Sequence, residues 1–167
     1  MLPEWLRRLF RRKQPEPLLS PVRGTVPKLR HRPKRSVKEE LRGGGHVTLN
    51  REVVKSRPEK RIADFLRNRG VRYLYEPDIE GATPDFYLPD SNIIVEHWGM
   101  RHTKYIERRM KKVRMYKSRG YVVVETDRKD VPRLERVLEL RLLAADPDVF
   151  RRGAKRFGAE RAKDAEP

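Results

Sequence analysis

Two acidic residues sit where an isolated carboxylate would be costly. Glu96 interrupts the apolar run Ile93-Ile94-Val95-Glu96-His97-Trp98, and Asp85 follows Pro84 at the head of the preceding segment. Between them Pro89-Asp90-Ser91-Asn92 has the composition of a turn. If those residues form the loop of a hairpin, Leu88 pairs with Ile93. The same register sets Asp85 directly opposite Glu96 with both side chains on one face. Their β-carbons are then about 4.5–5.5 Å apart, close enough for two carboxylates to repel unless a cation lies between them. Hard oxygen ligands at that spacing suit Mg²⁺ or Mn²⁺. A hairpin of different register would instead send the two carboxylates to separate faces with ordinary surface roles.

Glu59 is the third candidate. Ser56-x-x-Glu59 reads as a capping box, which would account for the glutamate by itself. Glu59 also shares a helical face with Ile62, Ala63 and Leu66, so it points toward a sheet from the first turn and could help hold the cation, directly or through water. A lysine that could steady developing charge is sought on the segment Thr103 to Arg119. There Ile106, Met110 and Val113 make the expected core stripe, Lys112 falls beside Tyr105 and Tyr116 on its flank, and Lys104 and Lys111 fall on the solvent side. Arg101, Arg108, Arg109 and Arg114 make a basic face suited to phosphate, and Lys34 and Arg35 add to it from the N-terminal region. His97 faces away from Glu96 by strand alternation, His97 and His102 lack a strong metal spacing, and Trp98 shares the Glu96 face as a core residue beneath the helix.

The elements that must position these residues are legible over residues 50–145. A capped amphipathic helix starts after Ser56 and stops at Gly70. Val71 to Tyr75, Pro84 to Leu88 and Ile93 to Trp98 read as strands, and Thr103 to Arg119 as a helix. Tyr121 to Glu125 is a further strand whose unbroken apolar run predicts burial on both faces. Val131 to Ala144 is a last helix with Leu134, Val137, Leu138 and Leu142 inward. The order α-β-β-β-α-β-α predicts an α/β fold, a mixed central sheet flanked by helices. Residues 1–49 read as a basic, Pro/Gly-rich extension with a short amphipathic helix around Trp5, Leu6, Leu9 and Phe10, and residues 146–167 as a charged tail.

Composition narrows the function classes. Charged residues make up 39% and hydrophobic ones 37% of the 167 residues, so a core occupies only part of the chain. With no cysteine, disulfides, cysteine zinc sites and thiol catalysis are excluded. No apolar run approaches the roughly 18–20 residues of a membrane span, and the N-terminal residues lack a signal-peptide pattern, so a cytoplasmic protein is expected, nucleoid-associated in a prokaryote. The net charge of +17 favours a polyanionic partner, with 13 basic against 4 acidic side chains in residues 1–49.

Glu59 on a first helix, then Pro84-Asp85, then Glu96 in the following strand resembles the PD-(D/E)XK nuclease superfamily, with its restriction-endonuclease-like αβββαβ core. Val95-Glu96-His97-Trp98-Gly99, followed by Tyr105, Lys112 and Tyr116, is similar to helicase-associated and very-short-patch-repair-like nuclease domains. The resemblance covers residues 50–145. It implies a Mg²⁺- or Mn²⁺-dependent endonuclease acting on DNA rather than RNA, with Asp85, Glu96 and Glu59 as metal ligands. A helicase or repair partner, and a homodimer where two strands are cut, would fit the same resemblance. One departure matters: the family motif has lysine two residues after its glutamate, and here that residue is Trp98. Lys112 is the candidate substitute. The alternatives are a catalytically inactive nucleic-acid-binding domain of the same fold and a basic RNA- or ribosome-associated protein.

Overall fold

The computed structural model describes residues 29–30, 43–79, 81–99 and 103–154. In chain order the elements are β1 (Leu29–Arg30), β2 (His46–Val47), β3 (Val53–Val54), α1 (Arg57–Asn68), β4 (Leu74–Tyr75), β5 (Asp78–Ile79), β6 (Phe86–Leu88), β7 (Ile93–Trp98), α2 (Thr103–Ser118), β8 (Val122–Asp127), a 3-10 turn (Val131–Arg133) and α3 (Leu134–Ala145). The expected α/β order is present, with short strand pieces added before and between its members. The amphipathic segment around Trp5, as well as Lys34, Arg35, Arg101 and His102, lies outside the described residues.

The central sheet has the order β4-β6-β7-β8. β6 runs antiparallel to β4 and to β7, while β8 is parallel to β7. Strand alternation divides the core into two faces. Phe86, Leu88, Ile93, Val95 and Val124 meet Ile62, Ala63, Phe65 and Leu66 of α1 and Leu134, Leu138 and Leu142 of α3. Tyr87, Ile94 and Tyr121 point the other way and meet Tyr116 of α2, with Ile79 joining them. The result is a mixed sheet between one helical layer of two members and another of one. Arg61 binds Glu135 with Nη2 at 2.5 Å, and Arg69 binds Glu139 at 2.6 Å, so α1 and α3 are also tied by charge above their shared apolar floor.

Several local expectations change. The Val71 to Tyr75 strand shrinks to β4, and the helix expected from Val131 opens as a 3-10 turn. β8 is an edge strand of its sheet rather than a strand buried on both faces: Val122 is 43% exposed, and full burial is confined to Val124 and Thr126. Within the extension, Leu29 and Arg30 pair antiparallel with Ile79 and Asp78 of β5.

Packing also continues past residue 145. Val149 is buried in the larger core and the Phe150 ring meets Phe65 edge-on at 5.9 Å. Arg152 binds Asp146, and it donates to Ser91 Oγ at 2.7 Å, which ties this segment to the β6–β7 turn. Gly153 lies so close to the end of α1 that an added β-carbon would come within 2.5 Å of Arg69 O and 2.7 Å of Gly70 backbone atoms. Gly153→Ala must therefore move backbone against backbone. Its expected cost is about 1–3 kcal/mol in urea unfolding of the full chain. An unchanged midpoint would mean that the segment is not part of the cooperative fold.

Candidate active site

The hairpin register brings the two carboxylates together. Leu88, Tyr87 and Phe86 oppose Ile93, Ile94 and Val95, and one step further the same ladder sets Asp85 against Glu96. Asp85 Oδ2 accepts a hydrogen bond from the backbone N–H of His97 at 2.7 Å, which aims its carboxylate at the end of β7. Glu96 is only 1% exposed, an ionisable group enclosed on the α2 side of the sheet. Burial pushes the Asp85 carboxyl up to about 6; the His97 N–H pulls it back, while the neighbouring Glu59 charge pushes it further. Burial pushes Glu96 up to about 8, the Asp85 charge adds to this, and Lys112 opposes it. The Asp85 charge thus makes Glu96 harder to ionise, as expected for neighbouring carboxylates in one site.

Lys112 answers this electrostatic demand. Its Nζ lies 2.7 Å from Glu96 Oε1. The same ammonium sits 5.8 Å from the centre of the Trp98 ring and 5.9 Å from that of Tyr116. One turn earlier on α2, Arg109 Nε binds Glu125 Oε2 at 2.7 Å, and its guanidinium lies 5.3 Å from the Trp98 ring centre. Glu96 and Glu125 are register partners on the parallel strands β7 and β8. Two carboxylates therefore stand side by side beneath α2, each met by a helix cation, with Trp98 beneath both cations.

This pairing corrects the expected face of α2. Tyr105, Arg109, Lys112 and Tyr116 form the sheet-facing side, while Ile106 and Met110 of the supposed core stripe are 44% and 48% exposed. Magnitudes decide the rotation. Leaving a buried carboxylate without its partner costs about 3–5 kcal/mol. Full exposure of one such apolar side chain costs about 1.5–3 kcal/mol, and these two are only half exposed.

Glu59 is placed differently. Its Oε1 accepts from Ser56 Oγ at 2.7 Å, and its Oε2 accepts from Tyr75 Oη at 2.7 Å and from the backbone N–H of Lys55 at 3.1 Å. In return Glu59 N–H donates to Ser56 Oγ at 3.3 Å. The Ser56 half of the capping box is thus formed, while the Glu59 carboxylate returns to Ser56 Oγ rather than to its backbone N–H and engages Tyr75 and Lys55 with its other oxygen. Burial, followed by the Glu59 bond, raises the Tyr75 hydroxyl well above its ordinary range. Among the described residues no three acidic or histidine side chains converge as a cation cage. His97 turns its ring away from Glu96, as alternation requires, with Nδ1 2.9 Å from Thr126 Oγ1. Burial lowers the His97 pKa.

Of the expected phosphate contacts, Arg108 and Arg114 are exposed, whereas Arg109 is committed to Glu125. Tyr75, Glu125 and Thr126 were not anticipated. Glu125 carries the same signal as Glu96, an acid ending an apolar strand run, but its partnership with β7 depends on a long-range parallel register. The donor set itself, two enclosed carboxylates whose charge is disfavoured without a counter-ion, fits a small divalent cation.

No protein-family model matches the chain. A curated protein of Methanocaldococcus jannaschii, described as uncharacterized, is 32% identical over 87 residues. That match takes in 47% of this chain but spans only 7% of the relative's length. Among solved structures, the catalytic domain of the homing endonuclease I-Bth0305I aligns at a TM-score of 0.46 and 21% identity, covering 53% of this chain and 93% of that one. A likeness at that level adds no weight to the geometry above. Among the described residues no helix is long and apolar enough to cross a membrane.

The raised carboxyls set the sign of a pH effect. A group that binds its proton more tightly when folded stabilises the native state while protonated, and this contribution is lost as pH rises from the ordinary carboxylate range through the folded value. In EDTA, thermal stability should fall between about pH 4 and pH 8 from this source. Glu96→Gln should flatten that fall. An identical pH profile in wild type and variant would contradict the buried charge.

Proposed function

We propose that this chain is a metal-dependent nuclease of the PD-(D/E)XK type, hydrolysing phosphodiester bonds within DNA. The observation that carries the reading is the enclosed Asp85–Glu96 pair with Lys112 Nζ 2.7 Å from Glu96. When bound, a Mg²⁺ or Mn²⁺ ion supplies Lewis-acid polarisation of the phosphate and a water of lowered pKa.

In this reading Asp85 and Glu96 hold the cation. The His97 N–H fixes one Asp85 oxygen, and the carboxylate so aimed would serve as a ligand. Lys112 takes the role that the family motif assigns to the position occupied here by Trp98. An ammonium supplied from a helix can orient the attacking water or meet developing negative charge as well as one supplied from the strand, since the position of the charge is what matters. Trp98 is 7% exposed and packs edge-on against Tyr105 at 5.8 Å, so it walls the site and keeps bulk water from the Lys112 stem. Glu59 would act through its field and its capping of α1. Arg108 and Arg114 on α2, together with Lys34, Arg35 and Arg101, contact the DNA backbone.

The test is incubation of the full chain with duplex, nicked and single-stranded DNA in Mg²⁺ or Mn²⁺. Cleavage that EDTA abolishes is expected, with Asp85→Ala and Glu96→Ala inactive. Lys112→Met should lose about 10²–10³-fold in rate, the scale of removing one charge-stabilising donor. Binding without cleavage, indifferent to all three substitutions, would favour the non-catalytic alternative that the Trp98 substitution suggests.

A further inference from the structure

β7 and β8 end side by side, Trp98 opposite Asp127, and the chain leaves β8 through a tight loop at the strand end where Asp85 and Glu96 sit. That loop is internally satisfied. Asp127 Oδ1 accepts from Lys129 N–H at 2.7 Å, and Asp130 Oδ2 accepts from Asp127 N–H at 2.9 Å. Arg141 binds Asp130 at 2.7 Å. Arg61 of α1 donates to Val131 O at 2.6 Å and grips Glu135, which fixes the loop's far side to α1.

The acids of this loop are therefore engaged by backbone N–H groups and by Arg141 and Arg61. What remains at its surface is cationic. Arg128 and Lys129 are exposed at the tip, and their side chains meet no other described residue. Arg57 is also exposed and without such a partner. It stands one helical turn before Arg61 and so on the same side of α1, toward the loop that Arg61 holds.

We propose that Arg57, Arg128 and Lys129 form a phosphate-binding rim that takes the backbone of a bound nucleic acid, on the α1/α3 side of the strand ends and across the sheet from α2. A loop whose backbone is held by its own acids fixes the points from which its cations emerge. Three unpartnered cations on a chain of net charge +17 favour a polyanion through counter-ion release. The rim contacts phosphates and reads no bases, so it positions rather than selects. It goes beyond the nuclease reading, because such a surface would bind whether or not the chain cleaves.

The experiment is equilibrium binding of the full chain to a fluorescent DNA duplex in EDTA across a salt series. Arg57→Gln/Arg128→Gln/Lys129→Gln is compared with a charge-matched control, Arg72→Gln/Lys117→Gln/Arg151→Gln, at the opposite end of the strands. The rim variant should lower the magnitude of the salt slope by roughly 2–3, at about 0.9 for each phosphate no longer neutralised, and the control should leave it unchanged. Equal slopes for the rim variant and the wild type, with unfolding midpoints alike, would overturn the proposal. So would an equal drop in the control, or no binding by the wild-type chain. Because no step requires cleavage, a chain that binds with the expected slopes but never cuts DNA would sink the nuclease reading and leave the rim standing.

Discussion

The enclosed carboxylate of Glu96 is the constraint on which the arrangement of α2 depends. It sits on a sheet face whose other end is aromatic and aliphatic, beside Asp85 on one strand and Glu125 on the other. Such a face cannot be covered by an ordinary apolar helix stripe, because each charge needs a partner of opposite sign. α2 meets the demand with Lys112 and Arg109 and turns Ile106 and Met110 outward. Trp98 then has a physical role, its ring lying 5.3 Å from the Arg109 guanidinium and 5.8 Å from the Lys112 ammonium.

The two sides of the sheet divide the labour. α1 and α3 supply most of the apolar burial and are tied to one another by Arg61–Glu135 and Arg69–Glu139. The α2 side carries a smaller apolar cluster and the charged pairs. An ion pair of this kind contributes little net stability, because desolvation offsets attraction, and this layer is where the fold accepts that cost. Glu59 belongs to the stable side: it closes the first turn of α1 and braces Tyr75, and only its field reaches Asp85.

Much of this arrangement was legible in the sequence where short-range rules decide. The register of β6 and β7 follows from the turn composition of Pro89 to Asn92 and the period of two along a strand, and the Ser56–Glu59 box follows from its spacing. Lys112 was identifiable as a lysine near this site, although for a flank rather than the sheet-facing position from which it pairs with Glu96. The rotation of α2 was not legible, because Ile106, Met110 and Val113 make a plausible apolar stripe until Glu125 is known to lie beside Glu96. That neighbour relation depends on a parallel pairing closed through a whole helix. The same limit applies to β8, whose valine run looks fully buried although the strand lies at a sheet edge, and to Val149 and Phe150, two apolar residues in a charged stretch that still complete the core.

The central claim is that Asp85 and Glu96, enclosed and disfavoured as bare charges, are a cation site. Calorimetric titration of the full chain with Mn²⁺ near neutral pH, in two buffers of different ionisation heat, tests it most directly. Binding should release protons, chiefly from Glu96, which must ionise to ligate, and Glu96→Gln should abolish it. The absence of binding, or binding that Glu96→Gln leaves unaltered, would contradict the account.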